Sequence, residues 1–294
     1  MNIGFFGDGP WSHLSLIKLL NDKSIKICFI CARFDNPDIK LKEIALENKI
    51  DFLVNKNINS DSFYNKIITY NCDLFISMSF NQIFKKRIIN HPKNKTINCH
   101  AGKLPFYRGR NILNWVLIND EKEFGITVHY MDEGIDTGDI ILQKTYKIND
   151  QDNYSTLLDK AYSGCASLLY EAVQNIQDNN VIRRTQNKID TIGTYCSSRI
   201  IGDEIIDWNQ SSREIFNFIR AICSPGPQAR TFLNKEQILI NSSQYIIDAP
   251  SYKGIPGAVV GIGKQSFNVK TRDSFIKIIE WTYSSKIKIG DRLK

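Results

Sequence analysis

Asn98 and His100 stand two residues apart in the stretch INCHAGKLPFYRGRNILNW, residues 97–115. On an extended segment, side chains two apart leave the same face. An imidazole placed there can take a proton from an attacking group, and an amide beside it can donate to an oxyanion. A histidine alone in such a place reads more simply as a hydrogen-bonded core residue; the paired amide is what suggests chemistry. A second constellation, DEGIDTGD at residues 132–139, packs four acids into eight residues, with Gly134 and Gly138 bracketing Asp136. Turn geometry alone accounts for Asp and Gly in such a loop. A carboxylate brought beside His100 would also orient the imidazole and stabilise its protonated form. Asn98, His100 and Asp136 would then form a set able to move an acyl group onto an amine.

Positioning these residues requires a scaffold, and the hydrophobic pattern supplies one. NIGFFG, IKICFICA, DFLV, DLFISMSF and KTINCHAG read as apolar strands. HLSLIKLLND, KLKEIALENK and SDSFYNKIITY, with apolar residues at helical spacing, alternate with them. That is an α/β pattern, a doubly wound and mainly parallel sheet. Ligands in such folds gather at the carboxyl ends of strands, here residues 7–11, 79–83 and 98–102. After the loop KLPFYRGR, NILNWVLIND reads as a helix, and FGITVHYM and DIILQKTYKI as two strands around the acidic loop. A long helix follows, with Leu157, Leu158, Ala161, Cys165, Leu168, Leu169, Ala172 and Ile176 on one stripe. Residues 180–204 read as a linker with short strands. Ser211 and Glu214 form a capping box, opening a helix that turns Ile215, Phe218, Ile219 and Ile222 to one face. The remaining short strands, punctuated by Gly, Asn and Asp, fit a small C-terminal β-barrel. The expected organisation is a catalytic domain over residues 1–200 and a smaller domain over 201–294.

Composition narrows the function classes. A chain of 294 residues with 42% hydrophobic and 23% charged residues buries proper cores and suits two domains. No apolar run approaches the roughly 18–20 residues that cross a bilayer, and MNIGFFGDGPW does not resemble a signal peptide. A soluble, cytoplasmic protein without membrane partners is expected. The net charge of +7, from 38 basic and 31 acidic residues, suits an anionic partner, but no basic block marks a nucleic-acid tail. The seven cysteines show no disulfide framework. Cys28 and Cys31 lie on a strand, where residues three apart face opposite ways, so they read as packing residues. GFFGDGPW is not G-x-G-x-x-G, and Arg33 stands where a dinucleotide fold would place an acid, which excludes a nicotinamide oxidoreductase. His129 with His100 and Asp136 matches no common zinc spacing, and His13 and His91 read as surface or capping residues.

The string from Asn98, His100, Leu104-Pro105 and Arg108-Gly109 to Asp136-Thr137-Gly138 resembles the formyltransferase family that uses N10-formyltetrahydrofolate. Residues 205–229, then PGAVVG and KIGDRL, are similar to pieces of that family's C-terminal domain, so the resemblance covers most of the chain. It implies His100 as general base, Asn98 as oxyanion stabiliser and Asp136 as the carboxylate orienting His100, with no metal. The folate co-substrate would lie along residues 79–83, with Ser79, Phe80, Asn81, Ile83 and Asp132 as contacts; each reads equally as a residue of a strand end or loop. Within the family, GDGPW and the 98–115 stretch look like enzymes acting on nucleotide-linked amino sugars. This implies a dTDP-4-amino-4,6-dideoxyglucose acceptor for O-antigen assembly, contacts from Trp11, Lys103, Arg108 and Arg110, no nucleic acid, and a homodimer. The alternatives are a methionyl-tRNA formyltransferase, for which the short mixed-charge segment after Arg33 offers no basic insertion, and a folate-binding module without catalysis.

Overall fold

The computed structural model describes residues 1–294. In chain order its elements are β1 (Asn2–Gly7), α1 (Gly9–Leu20), β2 (Lys26–Ala32), α2 (Ile39–Glu47), β3 (Asp51–Val54), α3 (Asp61–Ile68), β4 (Leu74–Met78), α4 (Lys86–Ile89) and β5 (Thr96–His100). There follow β6 (Arg108–Gly109), α5 (Ile112–Ile118), β7 (Glu123–Tyr130), β8 (Ile140–Lys147), α6 (Tyr154–Gln177) and β9 (Tyr195–Cys196). The chain closes with α7 (Ser212–Ile222), β10 (Ala229–Leu233), β11 (Glu236–Gln244), β12 (Val259–Gly263), β13 (Ser266–Lys270) and β14 (Phe275–Thr282). Two compact units result: Met1–Gly109 with Gly125–Tyr146 and Asp159–Cys196, and Arg110–Phe124 with Lys147–Leu158 and Ser197–Lys294.

The main sheet runs β3-β2-β1-β4-β5-β7-β8. Its first five strands pair in parallel, whereas β7 pairs antiparallel to β5. The strand order reverses at β1, so the carboxyl ends of β1, β4 and β5 open onto one crevice. Buried β4 is apolar at nearly every position, as a strand covered on both faces must be. Phe6 of β1 sits at the centre of an aromatic cluster, its ring 4.9 Å from Phe84, 5.4 Å from Phe29, 5.5 Å from Phe75 and 5.6 Å from Phe80. All four contacts are edge-to-face, the favoured geometry for aromatic quadrupoles. The α6 stripe read from the sequence is buried throughout, from Leu157 to Ile176. Helix α1 starts at Gly9, with Pro10 in its first turn, ahead of the apolar stretch that marks its body. Cys31 is wholly buried, which pushes its thiol up, while Cys28 is half-buried; all seven cysteines are free thiols.

In the second unit, β10-β11-β14-β13-β12 form an antiparallel five-stranded sheet. The capping box at the start of α7 is present: Glu214 N–H donates to Ser211 Oγ at 3.3 Å, and Ser211 N–H to Glu214 Oε2 at 2.7 Å. Ile215, Ile219 and Ile222 are buried as the periodicity requires. Phe218 is not: it stays half-buried beside the Arg199 guanidinium, and Phe216 goes inside instead. The buried arc centres nearer Ile219, which draws in Phe216 and leaves Phe218 at its margin. No helix is long and apolar enough to cross a membrane.

Truncating Phe6 to alanine should lower the unfolding free energy of the first unit by about 3–5 kcal/mol, read from the urea midpoint of its transition. A loss below about 1 kcal/mol would mean that the cluster collapses into the space and does not organise the sheet.

Candidate active site

Strand β5 places Asn98 and His100 on one face at the carboxyl end of the parallel block, and the ladder with β7 sets Asn98 opposite His129. Asp136 arrives from the β7–β8 loop in a left-handed conformation, φ 54°. The three polar side chains and His129 converge. Asp136 Oδ2 lies 3.6 Å from His100 Nδ1, and its Oδ1 lies 3.5 Å from both His129 Nε2 and Asn98 Nδ2. Gly109 N–H donates to Asp136 Oδ2 at 2.9 Å. His129, nearly sealed from solvent, donates from Nδ1 to the Tyr130 carbonyl at 2.8 Å, and its Nε2 faces both Asn98 Nδ2 at 3.3 Å and Asp136 Oδ1 at 3.5 Å.

Burial alone would raise the Asp136 carboxyl. The charge of His100, the hydrogen bond and charge of His129, and the Gly109 N–H outweigh that penalty and hold it well below the ordinary carboxylate range. Asp136 is therefore an anion beside two imidazoles. His100 donates from Nε2 to the Tyr107 carbonyl at 2.7 Å, so each of its nitrogens faces an oxygen. Asn98 holds its partners at long, weak distances, leaving its amide able to turn to a stronger acceptor.

Two glycines make this packing possible. A Cβ on Gly102 would lie 2.5 Å from His100 Nε2 and 2.4 Å from the Tyr107 carbonyl; one on Gly138 would lie 1.9 Å from the Tyr130 carbonyl. The loop after β5 is tied down by Thr127, whose hydroxyl donates to the Gly102 carbonyl at 2.7 Å, and by Gln143 Nε2, which donates to the Leu104 carbonyl at 2.8 Å.

The other residues singled out from the sequence fall in several places. Ser79 and Ile83 are exposed on the loop leaving β4. Phe80 packs its ring 5.8 Å from Phe84 at the edge of the aromatic cluster. Asn81 donates to Asp35 Oδ1 at 3.1 Å, while its own Oδ1 is buried without a partner. Asp132 caps its own loop, accepting from Gly134 N at 3.0 Å and Thr137 Oγ1 at 2.5 Å. Trp11 packs edge-on against Tyr162, ring centres 4.6 Å apart. Lys103 and Arg110 are exposed. Arg108, expected to reach a substrate, is instead 5% exposed, with its guanidinium donating to Gln186 Oε1 at 2.7 and 3.1 Å. Burial leaves it no open face. Sequence reasoning weighed His129 beside His100 and Asp136 only as a metal set; the β5–β7 register that puts it opposite Asn98 is fixed by the fold. Sequence reasoning missed Gln186, for which no local motif exists.

The formyl transferase pattern matches residues 28–173, and that of the formyl transferase C-terminal domain matches residues 202–290. A methionyl-tRNA formyltransferase of Alkaliphilus oremlandii is 32% identical over 99% of this chain and 95% of its own. The chain belongs to the formyl transferase family. A methionyl-tRNA formyltransferase of Clostridioides difficile is 30% identical over 100% of this chain and 96% of its own. Among solved structures, the sugar 3N-formyl transferase WlaRD matches with a TM-score of 0.73 and 24% identity, covering 98% of this chain and 99% of that one; the likeness shows the shared fold.

These relatives overturn the expectation of a dTDP-4-amino-4,6-dideoxyglucose acceptor. Methionyl-tRNA formyltransferases match end to end with chains of nearly equal length. The lack of a basic insertion after Arg33 therefore does not exclude the tRNA class, because close counterparts of that class span the same chain.

A carboxyl held low in the folded protein contributes stability that is complete above its ordinary value and fades as pH falls toward its folded value. Asp136→Asn should therefore lower the urea midpoint near neutral pH. Its deficit against the wild type should shrink below about pH 4. A deficit independent of pH would show that the charge of Asp136 does not matter to the fold.

Proposed function

We propose that this chain transfers the formyl group of N10-formyltetrahydrofolate to the amino group of methionyl-tRNA. The observation that carries the acceptor is the end-to-end likeness to methionyl-tRNA formyltransferases. The largely buried Asn98–His100–Asp136 cluster supports the chemistry. The net charge of +7 agrees in sign with a polyanionic partner.

In the proposed reaction the single proton of neutral His100, donated from Nε2 to Tyr107 in the free protein, moves to Nδ1 opposite Asp136, leaving Nε2 as the base. The incoming amine takes the place of the Tyr107 carbonyl at Nε2, 2.7 Å away in the free protein. As the amine nitrogen bonds to the formyl carbon, its proton passes to Nε2 and the carbonyl electrons move onto oxygen, where the Asn98 amide donates. Collapse restores the carbonyl and breaks the carbon–N10 bond. The His100 proton goes to the departing folate nitrogen, giving N-formylmethionyl-tRNA and tetrahydrofolate. Asp136, anionic throughout, stabilises the imidazolium between the two transfers. The folate is proposed to lie at the β4 carboxyl end, beside Ser79, Phe80, Asn81 and Ile83, with Asp132 shaping the neighbouring loop.

The test supplies N10-formyltetrahydrofolate with methionyl-tRNA, uncharged tRNA or dTDP-linked amino sugars, and measures tetrahydrofolate and formylated product. Turnover should occur with methionyl-tRNA and fall about 10²–10⁴-fold in His100→Ala. Asn98→Ala should cost about 10²–10³ in kcat. Binding of the tRNA should weaken steeply as salt rises. Turnover with an amino sugar alone, or undiminished turnover in His100→Ala, would overturn the reading.

A further inference from the structure

We infer that Gln186 is a positioning residue that sets the orientation of Asp136, an inference that rests on the role proposed above for that carboxylate. Gln186 is 1% exposed and belongs to a short helical turn, Gln186–Lys188, in the stretch between α6 and β9. Its side-chain amide is used completely. Oε1 accepts from Arg108 Nε at 3.1 Å and Nη2 at 2.7 Å, while Nε2 donates to the carbonyls of Asp136 and Gly138, each at 2.8 Å.

Two of these bonds act where the backbone of the site is in an unfavourable conformation. Asp136 has φ 54°, a conformation that non-glycine residues seldom adopt and that needs an outside partner to persist. Gln186 holds the carbonyls on both sides of Thr137, which fixes the turn. Arg108 in turn holds Gln186, and the next residue, Gly109, donates its N–H to Asp136 Oδ2 at 2.9 Å. Asp136 is thus gripped at its main chain by Gln186 and at its carboxylate by the residue after Gln186's own anchor. The other groups facing the carboxylate are His100, His129 and Asn98. Arg108 is itself secured by the Ile192 carbonyl and the Tyr195 hydroxyl, each 3.4 Å from Nη1. A stretch that reads as a linker therefore sets the geometry of the cluster from behind.

Two substitutions separate positioning from folding. Gln186→Glu keeps an acceptor for Arg108 but removes the donors to Asp136 and Gly138, and Gln186→Met removes everything. Both should lower kcat, by as much as about 10²-fold, while KM for folate and for acceptor stays within about twofold, because a misplaced carboxylate affects the proton transfers and not substrate binding. The Gly109 amide, bonded to Asp136 in the wild type, should exchange with deuterium at least about tenfold faster in both variants, with the unfolding midpoint of Gln186→Glu near that of the wild type. Wild-type kcat together with wild-type Gly109 exchange would overturn the inference, as would a loss confined to KM. Should wild-type protein formylate no methionyl-tRNA, the proposed function falls, and Gly109 exchange still decides the role of Gln186. Should neither variant fold, slow exchange of the Gln186 side-chain amide protons in the wild type would support the inference, and rapid exchange would overturn it.

Discussion

A carboxylate that is almost buried must be met by donors and positive charge, and meeting that demand at Asp136 organises much of the first unit. Desolvation of the anion is offset by His100, His129 and the Gly109 N–H, three groups from three different segments. Each must be delivered to within a few ångströms, so sheet register, loop conformation and the stretch before β9 all answer to one charge. Losing any of these partners would leave the anion short of compensation, which is why the cluster is a connected whole and not a list of separate contacts.

Register does the first part of that work. The parallel run of β1, β4 and β5 brings strand ends to a common crevice, and the antiparallel return of β7 puts His129 directly across from Asn98. Period-two geometry then puts His100 on the same face as Asn98. The aromatic cluster around Phe6 packs β1 against Phe29 of β2 and Phe75 of β4, the strand that pairs with β5. Loops complete the set: Gly102 and Gly138 let backbone carbonyls approach to distances that a side chain would forbid.

The acceptor is the point at which local sequence and whole-chain likeness disagreed. Short motifs around His100 describe chemistry on a formyl carbon, which every acceptor in the family shares, so they carry little information about which amine approaches. Charge in a single segment, such as that following Arg33, is likewise a poor guide, because binding a long polyanion depends on charge summed over a surface. Likeness over 99% of this chain and 95% of a relative's length weighs the whole sequence instead, and it is what the proposed tRNA acceptor rests on.

Much of this protein could be read from its amino-acid order. Strands and helices of the first unit follow from apolar periodicity, the start of α7 from Ser211 and Glu214, and the pairing of Asn98 with His100 from a spacing of two, because each depends on neighbours along the chain. The partners of Asp136 were partly legible, since the strands that bring His129 opposite Asn98 were visible while their register was not. Phe218 and Phe216 exchanged places because a helical wheel shows an apolar arc but not where its centre meets the core. Arg108 looked like a substrate ligand and became a buried anchor, and Gln186, with no motif around it, became that anchor's partner. Contacts such as Arg108 to Gln186, 78 residues apart, exist only after the chain has folded, because they depend on which segments are brought together in space and not on any local pattern.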